Sequence, residues 1–161
     1  MKGVKNNVKS SIKAFICGTL IGALSMGSVA AVNAQSSANS GSFTVSHGGY
    51  SYNSYNTIIT GSDSQGKYAT GGTVIGSVGG VTVPAGYMGS RARLYSESGS
   101  LAYYSDWRYS SSGTITMYNT KTARNFSGSP AFYSQGQIKV WMGTDYYTYG
   151  TYKTPNLNDY T

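Results

Sequence analysis

Beyond residue 42 the chain alternates short runs of β-branched and aromatic residues with breaks of Gly, Ser and Asn. Nowhere do apolar residues recur at i, i+3 and i+4 over the length of a helix, and several runs alternate with period two, as half-buried strands do. The pattern predicts strands at 43–46, 54–60, 73–78, 81–83, 87–96, 101–109, 114–119, 131–133, 137–142 and 146–152. Strands this short at this spacing predict an all-β domain, a small antiparallel β-sandwich or a partly open barrel.

The stretch 87–109, YMGSRARLYSESGSLAYYSDWRY, is the best specified. Ser98-Gly99 reads as a two-residue hairpin turn, pairing residues whose numbers sum to 197. One face then carries Met88, Ser90, Ala92, Leu94 and Ser96 opposite Tyr109, Trp107, Ser105, Tyr103 and Leu101. Small residues meet large ones there, so this face is expected in the core, with Trp107 under Ser90. The other face sets Arg91 opposite Asp106 and Arg93 opposite Tyr104. A three-residue turn with Gly99 as a bulge would slip the register by one and lose the Arg91–Asp106 pair. The run 68–90 has no charge. It reads as two buried strands joined at Gly79-Gly80, in preference to a hairpin inserted in lipid.

The N-terminal residues differ in character from the rest of the chain. Lys2, Lys5, Lys9 and Lys13 precede an uncharged, largely apolar run over 14–32, which ends in Val32-Asn33-Ala34. A basic start, an apolar middle and small residues at the exit predict a secretory signal peptide over 1–34, removed after Ala34. Cys17 falls inside it, so the expected mature chain has no thiol. Four of the twelve Lys and Arg residues also lie there, leaving eight bases against five acids and a net charge of +3. That balance gives little support for a nucleic-acid partner, and none is expected. Residues 35–42, QSSANSGS, read as a flexible leader, and 43–161 as a single β domain.

Catalytic chemistry is thin. His47 is the one histidine, and no G-x-S-x-G elbow accompanies it. The five acids are scattered singly, which suits neither a zinc or calcium site nor a facing carboxylate pair. No Gly-rich run carries the lysine of a P-loop or the spacing of a dinucleotide fingerprint. No enzyme activity, metal or cofactor is therefore expected.

Aromatic surface remains. All sixteen tyrosines lie beyond residue 34. In DYYTYGTYK (145–153), a strand would put Tyr147 and Tyr149 on one face and Tyr146 and Tyr152 on the other. An edge strand cannot bury both. In the strand before it, Ile138, Val140 and Met142 take the core face and Lys139 and Trp141 the other. Tyr146, Tyr147, Tyr149, Tyr152 and Trp141 are thus the candidate contact residues, suited to stacking on sugars or docking on a membrane interface or protein.

The layout as a whole resembles small proteins exported by Gram-positive bacteria, including bacteriocins of the lactococcin 972 type. The likeness lies in a Lys-rich signal, a small-residue exit, and a cysteine-free Gly/Ser/Tyr-rich β domain ending in the aromatic tail. It implies a non-enzymatic toxin acting at the cell envelope. The sequence therefore predicts a secreted, extracellular protein that binds a bacterial envelope component: a glycan, a lipid-linked precursor or a surface protein. The alternative is a structural or matrix protein that self-associates through Tyr-rich edges of low charge. A hydrolase built on His47 ranks third.

Overall fold

The computed structural model describes residues 35–111 and 113–161; the expected signal peptide lies outside them. Among the described residues there are twelve strands and no α-helix: β1 (Ser36–Asn39), β2 (Phe43–His47), β3 (Tyr50–Asp63), β4 (Gly66–Ser77), β5 (Met88–Arg91), β6 (Arg93–Ser96), β7 (Leu101–Tyr104), β8 (Arg108–Tyr109), β9 (Thr116–Arg124), β10 (Phe132–Ser134), β11 (Gln137–Trp141) and β12 (Tyr146–Gly150). All pairings between them are antiparallel. The sheets do not close into a barrel.

One layer is a long sheet in the order β1-β3-β4-β9, with β2 beside β1 along the same edge of β3. The second layer is two smaller sheets, β10-β6-β7 and β12-β11-β5-β8. The long hairpin β3–β4 turns at Ser64-Gln65, where the Gln65 N–H donates to Asp63 Oδ1 at 2.9 Å. The Gly48-Gly49 turn between β2 and β3 has positive φ at both centres (59° and 79°), the geometry that matches strand twist.

Two apolar clusters join the layers. Tyr52, Ile75 and Met117 of the long sheet pack on Met88, Ile138 and Val140. Ile58, Ala69 and Ala123 pack on Leu94, Phe132 and Tyr160. Between them the row Asn56–Thr73 is polar, and both side chains are buried. This row faces the place where the second layer breaks from one small sheet to the other, stranding backbone groups. Asn56 satisfies them with its full hydrogen-bonding capacity. Its Nδ2 donates to Thr151 Oγ1 and to the Tyr152 carbonyl, and its Oδ1 accepts from Thr73 Oγ1 and the Gly136 N–H.

Several sequence expectations need correction. Ser36–Asn39 is a strand on β3, not a flexible leader, because main-chain pairing asks little of small side chains. Residues 78–83 do not pair back on β4: Gly79 and Gly80 do turn the chain, but Val83 bridges to Thr114 and Val78 and Val81 are exposed. Met142 lies past the end of β11 and is 47 % exposed. The 87–109 hairpin closes through the three-residue loop 97–99, with Gly99 left-handed at φ 88° and the Ser96 N–H on the Ser100 carbonyl. Leu101 at its tip is exposed rather than buried. A shift between Leu94 and Tyr95 then restores the expected pairs Leu94–Tyr103 and Arg93–Tyr104.

Candidate binding surface

The decisive irregularity comes next along that hairpin. Ala92 and Ser105 still meet in the expected register, with the Ser105 N–H donating to the Ala92 carbonyl at 2.9 Å. One step further, Ser90 pairs with Arg108 and Gly89 with Tyr109. The return strand has gained one residue within 105–107. A bulge of one residue sends every later side chain to the opposite face. Trp107 and Tyr109, expected in the core, are thereby carried to the outer face of the β12-β11-β5-β8 sheet, while Met88, Ser90 and Leu94 stay buried. Asn119 of β9 pins the bulge: its Nδ2 donates to the Asp106 carbonyl at 2.8 Å and the Ser90 carbonyl at 2.9 Å. The expected Arg91–Asp106 pair does not form. Arg91 lies over the Tyr104 ring at 4.5 Å and donates from Nε to the Ser105 carbonyl.

Register across the sheet assembles the rest. Lys139 is paired with Gly89, which is paired with Tyr109; Trp141 is paired with Tyr146. These pairs share the outer face. Gly89 is what lets the rings lie close: a β-carbon there would come within 3.0 Å of the Tyr109 ring and 3.2 Å of Lys139 Cβ. Lys139 Nζ sits 4.6 Å from the centroid of Trp107, 5.7 Å from Tyr146 and 5.9 Å from Tyr109. It also donates to the Tyr109 hydroxyl at 3.3 Å. Tyr109 and Tyr146 are 5.2 Å apart, Tyr146 and Trp141 5.1 Å, and Trp141 and Tyr87 6.3 Å. The result is a continuous strip of half-exposed rings around a central ammonium, a favourable cation–π arrangement. The Tyr146 hydroxyl is anchored on the Gly86 carbonyl at 2.6 Å. Burial pushes its pKa above the usual tyrosine value; Tyr109 adds to that and Lys139 opposes it.

The tail therefore does not divide into a dry and a wet pair. Tyr147 and Tyr149 share the inner face with Val140 and Ile138, yet Tyr147 is 51 % exposed at the sheet edge. Tyr149 packs on the first apolar cluster and bonds to His47 Nε2 through its hydroxyl. Burial raises its pKa as well, with Tyr147 adding to the effect. β12 ends at Gly150, so the alternation stops before Tyr152, which lies edge-on to Phe43 at 5.5 Å. His47 also stacks over Tyr147 and so ties β2 to β12 between the layers.

Of the five candidate residues, Trp141 and Tyr146 join the strip. Tyr147, Tyr149 and Tyr152 gather instead around His47 and Phe43. Trp107, Tyr109 and Lys139 complete the strip and were not among the candidates, while Tyr87, beside Trp141, packs on the first apolar cluster. The signal for the strip was the polar Ser105-Asp106 interruption between Tyr103-Tyr104 and Trp107, together with Gly89 opposite Tyr109. Comparison with protein-family models, curated proteins and solved structures finds no match to this chain.

Proposed function

We propose that this is a secreted, non-enzymatic protein that binds the outside of a bacterial cell envelope, using the outer face of the β12-β11-β5-β8 sheet. The observation that carries the reading is the strip Trp107–Tyr109–Tyr146–Trp141 around Lys139, aromatic side chains left at the surface of a fold short of aliphatic residues. Rings so held offer wide, rigid contact area at little entropic cost. The secretion pattern in the sequence supports the location. A bacteriocin-like, growth-inhibiting action is the finer form of this reading. The test is co-sedimentation of the purified protein with whole cells, isolated wall and liposomes, alongside Trp107→Ala. Binding to cells or wall that the variant loses while staying folded supports the proposal; equal binding by the two removes the strip from it.

The free edges favour a second reading, self-association. β12 (YYTYG) and β7 (LAYY) each end a sheet and carry no charge or proline, and such edges invite pairing with another strand. Sedimentation velocity over a concentration series tests it. A monomer at every concentration removes it.

A further inference from the structure

Resting on the envelope-binding reading, the chemistry of the ligand can be narrowed. Two cations bear on the strip. Lys139 lies within it, and Arg91 shares its face, over Tyr104. Arg108, paired with buried Ser90, takes the opposite face of β8 and is not part of the strip. Among the described residues the ion pair is Arg124–Asp63, so neither Lys139 nor Arg91 is neutralised by a carboxylate. The terminal nitrogens of Arg91 make no hydrogen bond among the described residues, its Nε alone being engaged. A face built only for neutral sugars would need rings and hydroxyls. This one keeps unpaired positive charge among its rings, which favours an anion.

The arrangement also bears on the kind of anion. Single-stranded nucleic acid sets stacking bases to one side and phosphates to the other, so its sites run a basic track beside an aromatic one. Here the ammonium is interleaved with the rings, within 4.6–5.9 Å of three of them. That matches a chain whose charge is carried on the stacked ring itself. We propose that the strip takes an extended anionic polysaccharide: pyranose rings on Trp107, Tyr109 and Trp141, and their carboxylate or phosphate groups on Lys139 and Arg91.

Titration calorimetry of the purified full chain with polygalacturonate as the probe tests this, with dextran, poly-deoxythymidylate and phosphatidylglycerol vesicles as the other arms. Lys139→Met removes the charge and keeps an apolar stem over the rings. The expected result is binding of polygalacturonate that weakens as salt rises, falls about tenfold in Lys139→Met as a charge-assisted contact is lost, and is absent with dextran. Unchanged melting of the variant shows that the loss is local. Dextran bound as tightly, with Lys139→Met silent, overturns the anionic assignment and leaves the envelope reading in place. Tighter binding of poly-deoxythymidylate or of vesicles overturns it in favour of that partner. Binding to cells but to none of the four probes also overturns it alone, whereas failure to bind cells as well as probes removes the envelope reading with it.

Discussion

Between the layers, Tyr52 and Tyr149 pack with Ile75 and Met88 and take the place of aliphatic residues. On the outer face, Trp107, Tyr109, Tyr146 and Trp141 lie half-exposed around Lys139. The two groups are drawn from the same residue types and, through Tyr149 and Tyr146, from the same strand. What separates them is parity. Tyr149 is paired with buried Ile138, while Tyr146 is paired with outward Trp141. Trp107 and Tyr109 are outward only because the bulge at 105–107 reverses the alternation of the hairpin. Composition thus says that rings are plentiful, and the register decides which of them are structure and which are surface.

The comparison breaks most visibly if an inner ring proves dispensable. Tyr52 is fully buried, and Tyr52→Ala should cost about 3–5 kcal/mol, the usual loss for a large buried aromatic. Urea denaturation measures it. A loss below about 1 kcal/mol, the scale of surface substitutions, would place Tyr52 outside the core.

Next in size is the residue that holds the bulge. Asn119→Ala removes both hydrogen bonds, to the Ser90 and Asp106 carbonyls, and should cost about 1–3 kcal/mol. It should also loosen the strip, since Trp107 is the next residue after the pinned Asp106 carbonyl. Tryptophan fluorescence should redden in this variant more than in Asn56→Ser, which perturbs the polar row instead. Equal spectra would detach the strip from the bulge.

Trp107→Ala then separates the two groups. A ring on the outer face costs little stability, about 1 kcal/mol or less, in contrast to Tyr52. Cell binding should nevertheless fall. A loss as large as that of Tyr52→Ala would return Trp107 to the core and the strip to the status of packing.

How far these distinctions could be read in advance differs from place to place. Alternation identified Ile138, Val140, Met88 and Leu94 as buried, because each continues a period-two pattern without interruption. It missed Met142, which lies beyond the last paired residue, and Tyr152, beyond the end of β12. It under-measured β3 and β4, whose polar inner positions Ser54, Asn56, Thr60 and Thr73 are buried. A polar residue on an inner face looks like a strand end until the backbone groups it satisfies are known. The bulge was invisible for a related reason: its anchor, Asn119, comes from another sheet. The aromatic tail was legible as surface-prone but not in its division, which depends on where pairing stops.

The smallest expected effect concerns a polar atom that the inner group leaves unserved. The Tyr52 hydroxyl is buried and has no hydrogen-bond partner. Burial, with Tyr50 and Tyr87 adding to it, pushes its pKa up to about 12. An unpartnered buried hydroxyl costs desolvation without return, so Tyr52→Phe should stabilise the protein by about 0.5 kcal/mol near neutral pH. The pH dependence has a definite sign. In the unfolded chain tyrosine titrates at about pH 10. The folded state holds the proton longer, so the Tyr52 contribution is intact below that pH and is lost as pH rises toward about 12. The phenylalanine variant lacks this loss, and its advantage should widen with alkali. Tyr160, also held up to about 12 by burial but donating to the Pro130 carbonyl, keeps its share in both proteins. Urea midpoints taken at neutral pH and again above the tyrosine range measure the difference. A variant less stable than its parent at neutral pH would show that the hydroxyl is bonded after all, and that the inner rings, like the outer ones, are held by their polar ends.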